Sequence, residues 1–449
     1  MKTCKVFVPC GALGTGIEPK SFQQGVDLNP DIISLDAGST DSGPYYLGTA
    51  NPKYARDSVK SDLKQILVAA KEKDIPVTIG SCGTCGTDNM VDMVAKLCRE
   101  IFAEEGFTRS IAKIYTEQSP AQMAEQFRNG KIHALEGAPA ITEETFAHCG
   151  HIVALAGVEP FQKALAEGAQ VVLCGRATDT AVIAAYPIMQ GFDPALAWHA
   201  AKIAECGALC TENPTDGGVF LTFDEEGVIV QAASRENRCS VYSVSAHLLY
   251  ENADPIRLTE PGCITDTSES RYTQLPDGTV RVQGTKHIPM PYTMKLEGAG
   301  RVGYQTISLV GIRDRAITRD PMPWINHISA YVTNKLNKLG LDPATYSFEL
   351  RPYGWNAVYG GAVPEGYVAN ELGILFVATG DTQEIATKVA KVFNPYLLHF
   401  PTKLVAPLPS YGFAFSPAET ERGAVFEFML HHVIELEDPL SQVRIMMEP

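Results

Sequence analysis

The chain has 449 residues, enough for two or three domains each with its own core, and its 45% hydrophobic and 20% charged content excludes wholesale disorder. With 37 Lys and Arg against 52 Asp and Glu it carries a net charge of −15, which argues against nucleic acid or an anionic membrane surface as the main partner, because both require clustered cations. A small anionic substrate is compatible with that charge, since a few local basic groups override the global sign.

The opening MKTCKVFVPCGALGTG is too short in its apolar part, and too soon glycine-rich, for a signal peptide. No stretch reaches about 18 consecutive apolar residues, so no membrane span is expected. The 11 cysteines are odd in number, scattered and set in apolar or glycine-rich surroundings, as reduced core thiols are. A cytoplasmic, disulfide-free protein is the expectation.

In chain order, residues 5–10 read as a strand ending in the turn Gly11-Ala-Leu-Gly14-Thr-Gly16. A second strand at 31–36 runs into Asp36-Ala-Gly-Ser-Thr-Asp-Ser-Gly43. Val59, Leu63, Ile66, Leu67 and Ala70 then recur at helical spacing. A strand at 77–80 leads into Ser81-Cys-Gly-Thr-Cys-Gly-Thr-Asp88, followed by a helix that turns Met90, Val94, Leu97 and Ile101 inward. Strands at 111–115, 152–155 and 171–174 continue the series, with helices near 160–168, 180–190 and 194–209. Strand–loop–helix units of this length predict an α/β fold: a mostly parallel sheet with helices on both faces, over residues 1–212.

Beyond 212 the pattern changes. Runs at 219–223 and 227–233 read as an antiparallel pair, and short strands recur at 279–283, 292–296 and 304–310, giving a β-rich middle region over 213–340. Residues 341–449 carry strands at 346–350 and 374–379 and a helix from 383 to 393, as a small α+β unit would. The Pro/Gly-rich segment 352–366 reads either as a ligand-covering loop or as a fixed surface crossing.

In open parallel sheets, ligands bind beyond the carboxyl ends of the strands, and loops rich in small, hydroxylic and acidic residues occupy that place here. The 11–16 turn lets a backbone approach an anion through Gly14, yet its G-x-x-G-x-G spacing and lack of a P-loop lysine predict neither NAD nor ATP binding. Asp36 and Asp41, among Ser39 and Thr40, offer ligands for a divalent cation or a separate acid and base; simple loop capping is the alternative. Ser81, Cys82, Thr84 and Cys85 sit before a helix as an anion-binding loop. Metal ligation by Cys82 and Cys85 would need further ligands such as Cys10, Cys206 or Cys210. The strand at 171–174 delivers Arg176, Thr178 and Asp179, and an arginine there matches a substrate carboxylate; the alternative is a structural Arg176–Asp179 pair. On the helix beyond, His199, Lys202 and Cys206 share a face with Glu205 beside them, which suits acid–base work or an exposed face equally. His247, and Lys295 with Glu297, are left undecided by their local pattern. No G-x-S-x-G elbow, HExxH, Walker A or kinase set occurs.

DAGSTDSGPYYLG at 36–48, IGSCGTCGTD at 79–88, GVEPF followed by VVLCGRATDTAV from 171, LAWHAAKIAECGAL at 196–209, SVSAHLLYENADP at 243–255 and PYTMKLEGA at 291–299 together resemble the acyclic terpene utilisation AtuA-type family. The ending SPAETERGAVFEFMLHHVIELEDPL at 416–440 is similar to its long members. The resemblance implies an N-terminal α/β domain with a later β-rich part, catabolism of branched acyclic acids and their coenzyme A thioesters, and a small companion subunit for long members. Arg176 and Asp179 match the family's G-R-x-x-D spacing, whereas the family usually has small residues in place of Cys82 and Cys85.

The resulting expectation is a catabolic enzyme, homo-oligomeric, acting on a small carboxylate or its thioester by proton chemistry, as a hydratase, dehydratase or isomerase. Asp36, Asp41, Asp179, His199 and Lys202 would do the chemistry. Gly14, Ser39, Thr40, Ser81, Cys82, Thr84, Cys85, Arg176 and Thr178 would bind the substrate. The cofactor is open, with a divalent ion as one option. The rivals are a metal- or thiol-dependent hydrolase of an amide or thioester, and a binding subunit of a two-component enzyme.

Overall fold

A computed structural model describes residues 2–250, 254–402 and 411–449; residues 251–253 of the 243–255 motif lie outside it. The chain divides into two compact units, Met1–Gly300 with Phe428–Pro449, and Arg301–Glu427.

The first unit is built on a 10-stranded sheet. Its centre is five parallel strands, lying side by side as Cys4–Val8, Ile32–Asp36, Val77–Gly80, Val171–Cys174 and Ile111–Tyr115. These runs are mostly apolar because both faces are covered, and alternation decides which side each residue joins. Val6, Val8, Ile32, Val172 and Cys174 face one core, with Ala197, Ala201 and Phe161 from helices Pro194–Ala204 and Glu159–Ala166. Phe7, Ile33, Leu35, Val77 and Leu173 face the other, against helices Pro19–Asp27, Arg56–Lys73 and Asp88–Glu105. The mostly parallel, doubly covered α/β reading holds for this centre.

Antiparallel strands extend the sheet at both ends. Val219–Phe223 pairs with Cys4–Val8 and Val228–Ala232 with Val219–Phe223, so the first strands of the β-rich region continue the same sheet. Arg444–Glu448 closes the other edge on Ile111–Tyr115. The run predicted at 152–155 departs from expectation. Cys149–Ala154 pairs antiparallel with Leu296–Gly300 of the strand Thr293–Ile312 and does not join the parallel set. A short apolar run carries no information on its partner, so periodicity could not separate the two.

In the second unit, Tyr304–Ile312, the continuation of that strand, pairs antiparallel with Leu372–Gly380, and Tyr346–Tyr353 adds to the other side. Helices Met322–Lys338 and Gln383–His399 bury Ile328, Val332, Val389 and Phe393 against Val310, Ile374 and Phe376. The two strands expected at 292–296 and 304–310 are parts of one, and the helix expected to stop at 393 runs to His399. Segment 352–366 is mostly turns in this unit, with Val358 and Tyr359 exposed.

Candidate functional site

The carboxyl ends of Ile32–Asp36 and Val171–Cys174 open onto two adjoining cavities of about 460 and 470 Å³, which share Ser39, Asp41, Asp179 and Glu205 as a common wall. Asp36 reaches the first cavity from the last position of its strand. Its Oδ2 accepts from the Gly38 amide at 2.7 Å, while the buried Oδ1 has no partner among the described residues. Burial, and after it the Asp179 carboxylate, raise its pKa well above the usual carboxylate range.

Arg176 is fully engaged on two of its nitrogens. Nε donates to Glu297 Oε2 at 3.2 Å, and Nη1 donates to the Gly38 carbonyl at 3.0 Å and to Ser81 Oγ at 2.7 Å. Glu297 also accepts from Thr40 Oγ1 at 3.1 Å and from Lys295 Nζ at 3.4 Å. Burial works to raise the Glu297 pKa, but Arg176 and Lys295 outweigh it and hold it below the ordinary value. Burial likewise opposes the Arg176 charge, and Glu297, Asp179 and Asp36 more than restore it. The guanidinium therefore has a carboxylate partner supplied by the protein itself.

Loop 81–87 stands behind this arginine. Gly86 has φ +64°, and a Cβ there would lie 2.3 Å from the Arg176 amide nitrogen. Ser81 and Thr84 hold left-handed φ values of 47° and 76°, and Thr84 Oγ1 donates to the Ala37 carbonyl at 2.9 Å. Non-glycine residues adopt such angles only where their surroundings demand it. The amides of Ser81, Cys82, Thr84 and Gly86 donate to Gly175, Cys174, Ser81 and Cys82 carbonyls, so these four are already engaged within the protein.

On the far wall, Lys202 forms an ion pair with Glu205, and both line the second cavity. Burial pushes Glu205 up to about 8 against the pull of Lys202. Burial lowers Lys202, but Glu205 reverses that and its pKa ends above the ordinary value. Glu260, at the end of Arg257–Glu260, accepts from Thr180 Oγ1, 2.9 Å from each carboxylate oxygen, and burial lifts it to about 7. Asp179 is raised by burial, which outweighs Arg176 and Lys202.

Of the residues singled out from sequence, Asp36, Ser39, Thr40, Asp41, Arg176, Thr178, Asp179 and Lys202 line these cavities. The others do not. Gly14 donates its amide to Asp62 Oδ2 at 2.8 Å, and Gly16 and Ile17 donate to the same carboxylate, so the protein supplies that turn's anion. Ser81, Cys82, Thr84 and Cys85 are buried behind Arg176. Both thiols are raised by burial, which removes a thiolate nucleophile, and neither belongs to a metal-competent cluster among the described residues. His199 is fully buried, with Nδ1 2.7 Å from Thr285 Oγ1 and Nε2 2.9 Å from the Tyr272 hydroxyl. Burial lowers it to about 4, so it is neutral and away from the cavities. Glu205, Glu260 and Glu297 complete the site; Glu205 and Glu297 stood beside recognised residues in the sequence, while Glu260 carried no local signal.

Residues 40–402 match the family model described as acyclic terpene utilisation family protein AtuA. The chain belongs to the AtuA family. No curated protein and no solved structure matches it. Membership links this AtuA protein to terpene utilisation and so to catabolism, and the matched span covers every cavity-lining acid named above except Asp36. No helix among its described residues is long and apolar enough to cross a membrane.

Proposed function

We propose that this AtuA protein is a catabolic enzyme that moves a proton on a small carboxylic acid or its coenzyme A thioester, as an isomerase or hydratase/dehydratase. The observation that carries the reading is Asp179: a carboxyl of raised pKa in the wall common to both cavities, with the Lys202 ammonium on the same second cavity. A base with a raised pKa takes a proton from carbon more effectively near neutral pH. Asp179 removes the proton next to the carbonyl, the electron pair moves onto the carbonyl oxygen, and the positive charge of Lys202 stabilises the oxyanion formed. Glu260, substantially protonated near neutrality, serves as the acid. It returns a proton to a different carbon, or protonates a β-hydroxyl that leaves as water when the electron pair moves back.

Arg257 and Lys295 line the second cavity and offer charge to a carboxylate, whereas Arg176 holds the loops in place. Deuterium wash-in from D₂O, over a panel of unsaturated and hydroxy acids and their thioesters, tests the reading. Exchange is expected with at least one of them and falls by about 10²–10⁴-fold in Asp179→Asn. Absence of exchange with every compound, or exchange unchanged in the variant, would overturn it. Stabilisation by a panel compound without exchange would mark a binding subunit instead.

A further inference from the structure

Helix Pro194–Ala204 ends at Glu205 and Cys206, and the turn His247–Leu249 brings His247 against them. One carboxylate oxygen, the Cys206 sulfur and one imidazole nitrogen all lie within 4.8 Å of one another. We propose that Glu205, Cys206 and His247 form a site for a single transition-metal ion of the zinc class, with one coordination position open to the first cavity.

Two further observations point to a ligand. His247 is 6% exposed, and its Nε2 is buried with no hydrogen-bond partner among the described residues. A buried polar atom left in that state is costly unless something binds it. Cys206 is also the one cysteine of the 11 that is not buried, and it lines the first cavity together with Glu205. The ten others are enclosed, as core thiols are.

The donor set selects the metal. A thiolate, an imidazole and a carboxylate suit zinc or cobalt, whereas magnesium and calcium take oxygen ligands. Metal–ligand bonds of about 2.0–2.3 Å in a tetrahedron place ligand atoms about 3.3–3.8 Å apart, so side-chain rotation of about an ångström closes the site. Three protein ligands and a fourth open position are the pattern of zinc sites that engage an exogenous oxygen. The ion pair with Lys202 occupies Oε1 of Glu205 and leaves Oε2 for the metal. The inference stands on this donor set and does not depend on the proton chemistry proposed above.

The test uses the full chain, stripped with a chelator and titrated with Co²⁺ alone. One equivalent is expected to bind, with the charge-transfer absorption of a cobalt–thiolate bond, and Zn²⁺ is expected to displace it. Cys206→Ser should abolish that absorption, and His247→Gln should weaken uptake at least tenfold, each variant being checked for a native far-ultraviolet spectrum. A measurement on the unmodified protein covers the case of misfolded variants: Zn²⁺ should slow alkylation of Cys206 by iodoacetamide at least tenfold. Absence of saturable uptake, uptake unchanged in both folded variants, or unaltered Cys206 alkylation would overturn the proposal.

Discussion

Arg176 and Glu297 have 3% and 5% of their side-chain surface exposed, and each is the other's main counter-charge. Removing one member of such a pair leaves a buried charge without compensation, which is costlier than removing both. Glu297→Gln is therefore expected to destabilise the protein by about 3–5 kcal/mol, measured by urea unfolding. The double change Arg176→Met with Glu297→Leu should cost less than Glu297→Gln alone. A larger loss in the double variant would show that the arginine serves chiefly through its contacts with Gly38 and Ser81. At this scale the sequence was informative about residue type more than about role. An arginine at a strand end was legible, but the partner that neutralises it lies 121 residues away, and no local pattern announces that pairing. His199 and Lys202 sit three apart on one helix, and spacing placed them on a shared face. Tertiary packing sends the first into the core and the second into a cavity.

At the scale of elements, the strands at 77–80, 111–115 and 171–174 were read with the bounds the structure shows. Apolar runs stopped by glycine-rich turns leave little freedom in placing their ends. The same regularity brought Asp36, Ser39, Thr178 and Asp179 to one rim, because parallel strands present their carboxyl ends on the same side. Loop 81–87 was legible as a special turn, but not its packing: four of its amides close on neighbouring carbonyls, and Gly86 makes room for Arg176. Gly86→Ala should force both a left-handed alanine and a contact of 2.3 Å with the Arg176 backbone. A loss of about 2–4 kcal/mol is expected. Chemical denaturation checks it, and a loss below about 0.5 kcal/mol would mean the loop yields freely. Glu260 and Glu297 come from strands beyond residue 250, which reach the rim only through long-range pairing.

For the molecule as a whole, the buried acids set an unusual response to pH. Asp36, Asp179, Glu205 and Glu260 have pKa values raised by burial, so between their unfolded and folded values the native protein binds more protons than the unfolded chain. Stability then falls as pH rises through that window. For Glu260 the window runs from its ordinary 4.5 to about 7, and its contribution is complete below 4.5 and lost above about 7. Unfolding at a series of pH values should show greater stability near pH 5 than near pH 8, with Glu260→Gln flattening the decline by at most about 1.4 kcal/mol per pH unit. A decline as steep in the variant as in the parent would remove Glu260 from this account. Acids held low, such as Glu297, work in the opposite sense and lose their contribution as pH falls.

The inward engagement of Arg176 separates two jobs that strand-end arginines often combine. Because its charge is answered inside the protein, the keystone of the rim need not change when a different guest is favoured. Under the proposed function, discrimination between guests would fall instead to Arg257 and Lys295, which line the second cavity. A lineage could exchange those two side chains and acquire new preferences while the scaffold beneath kept its shape.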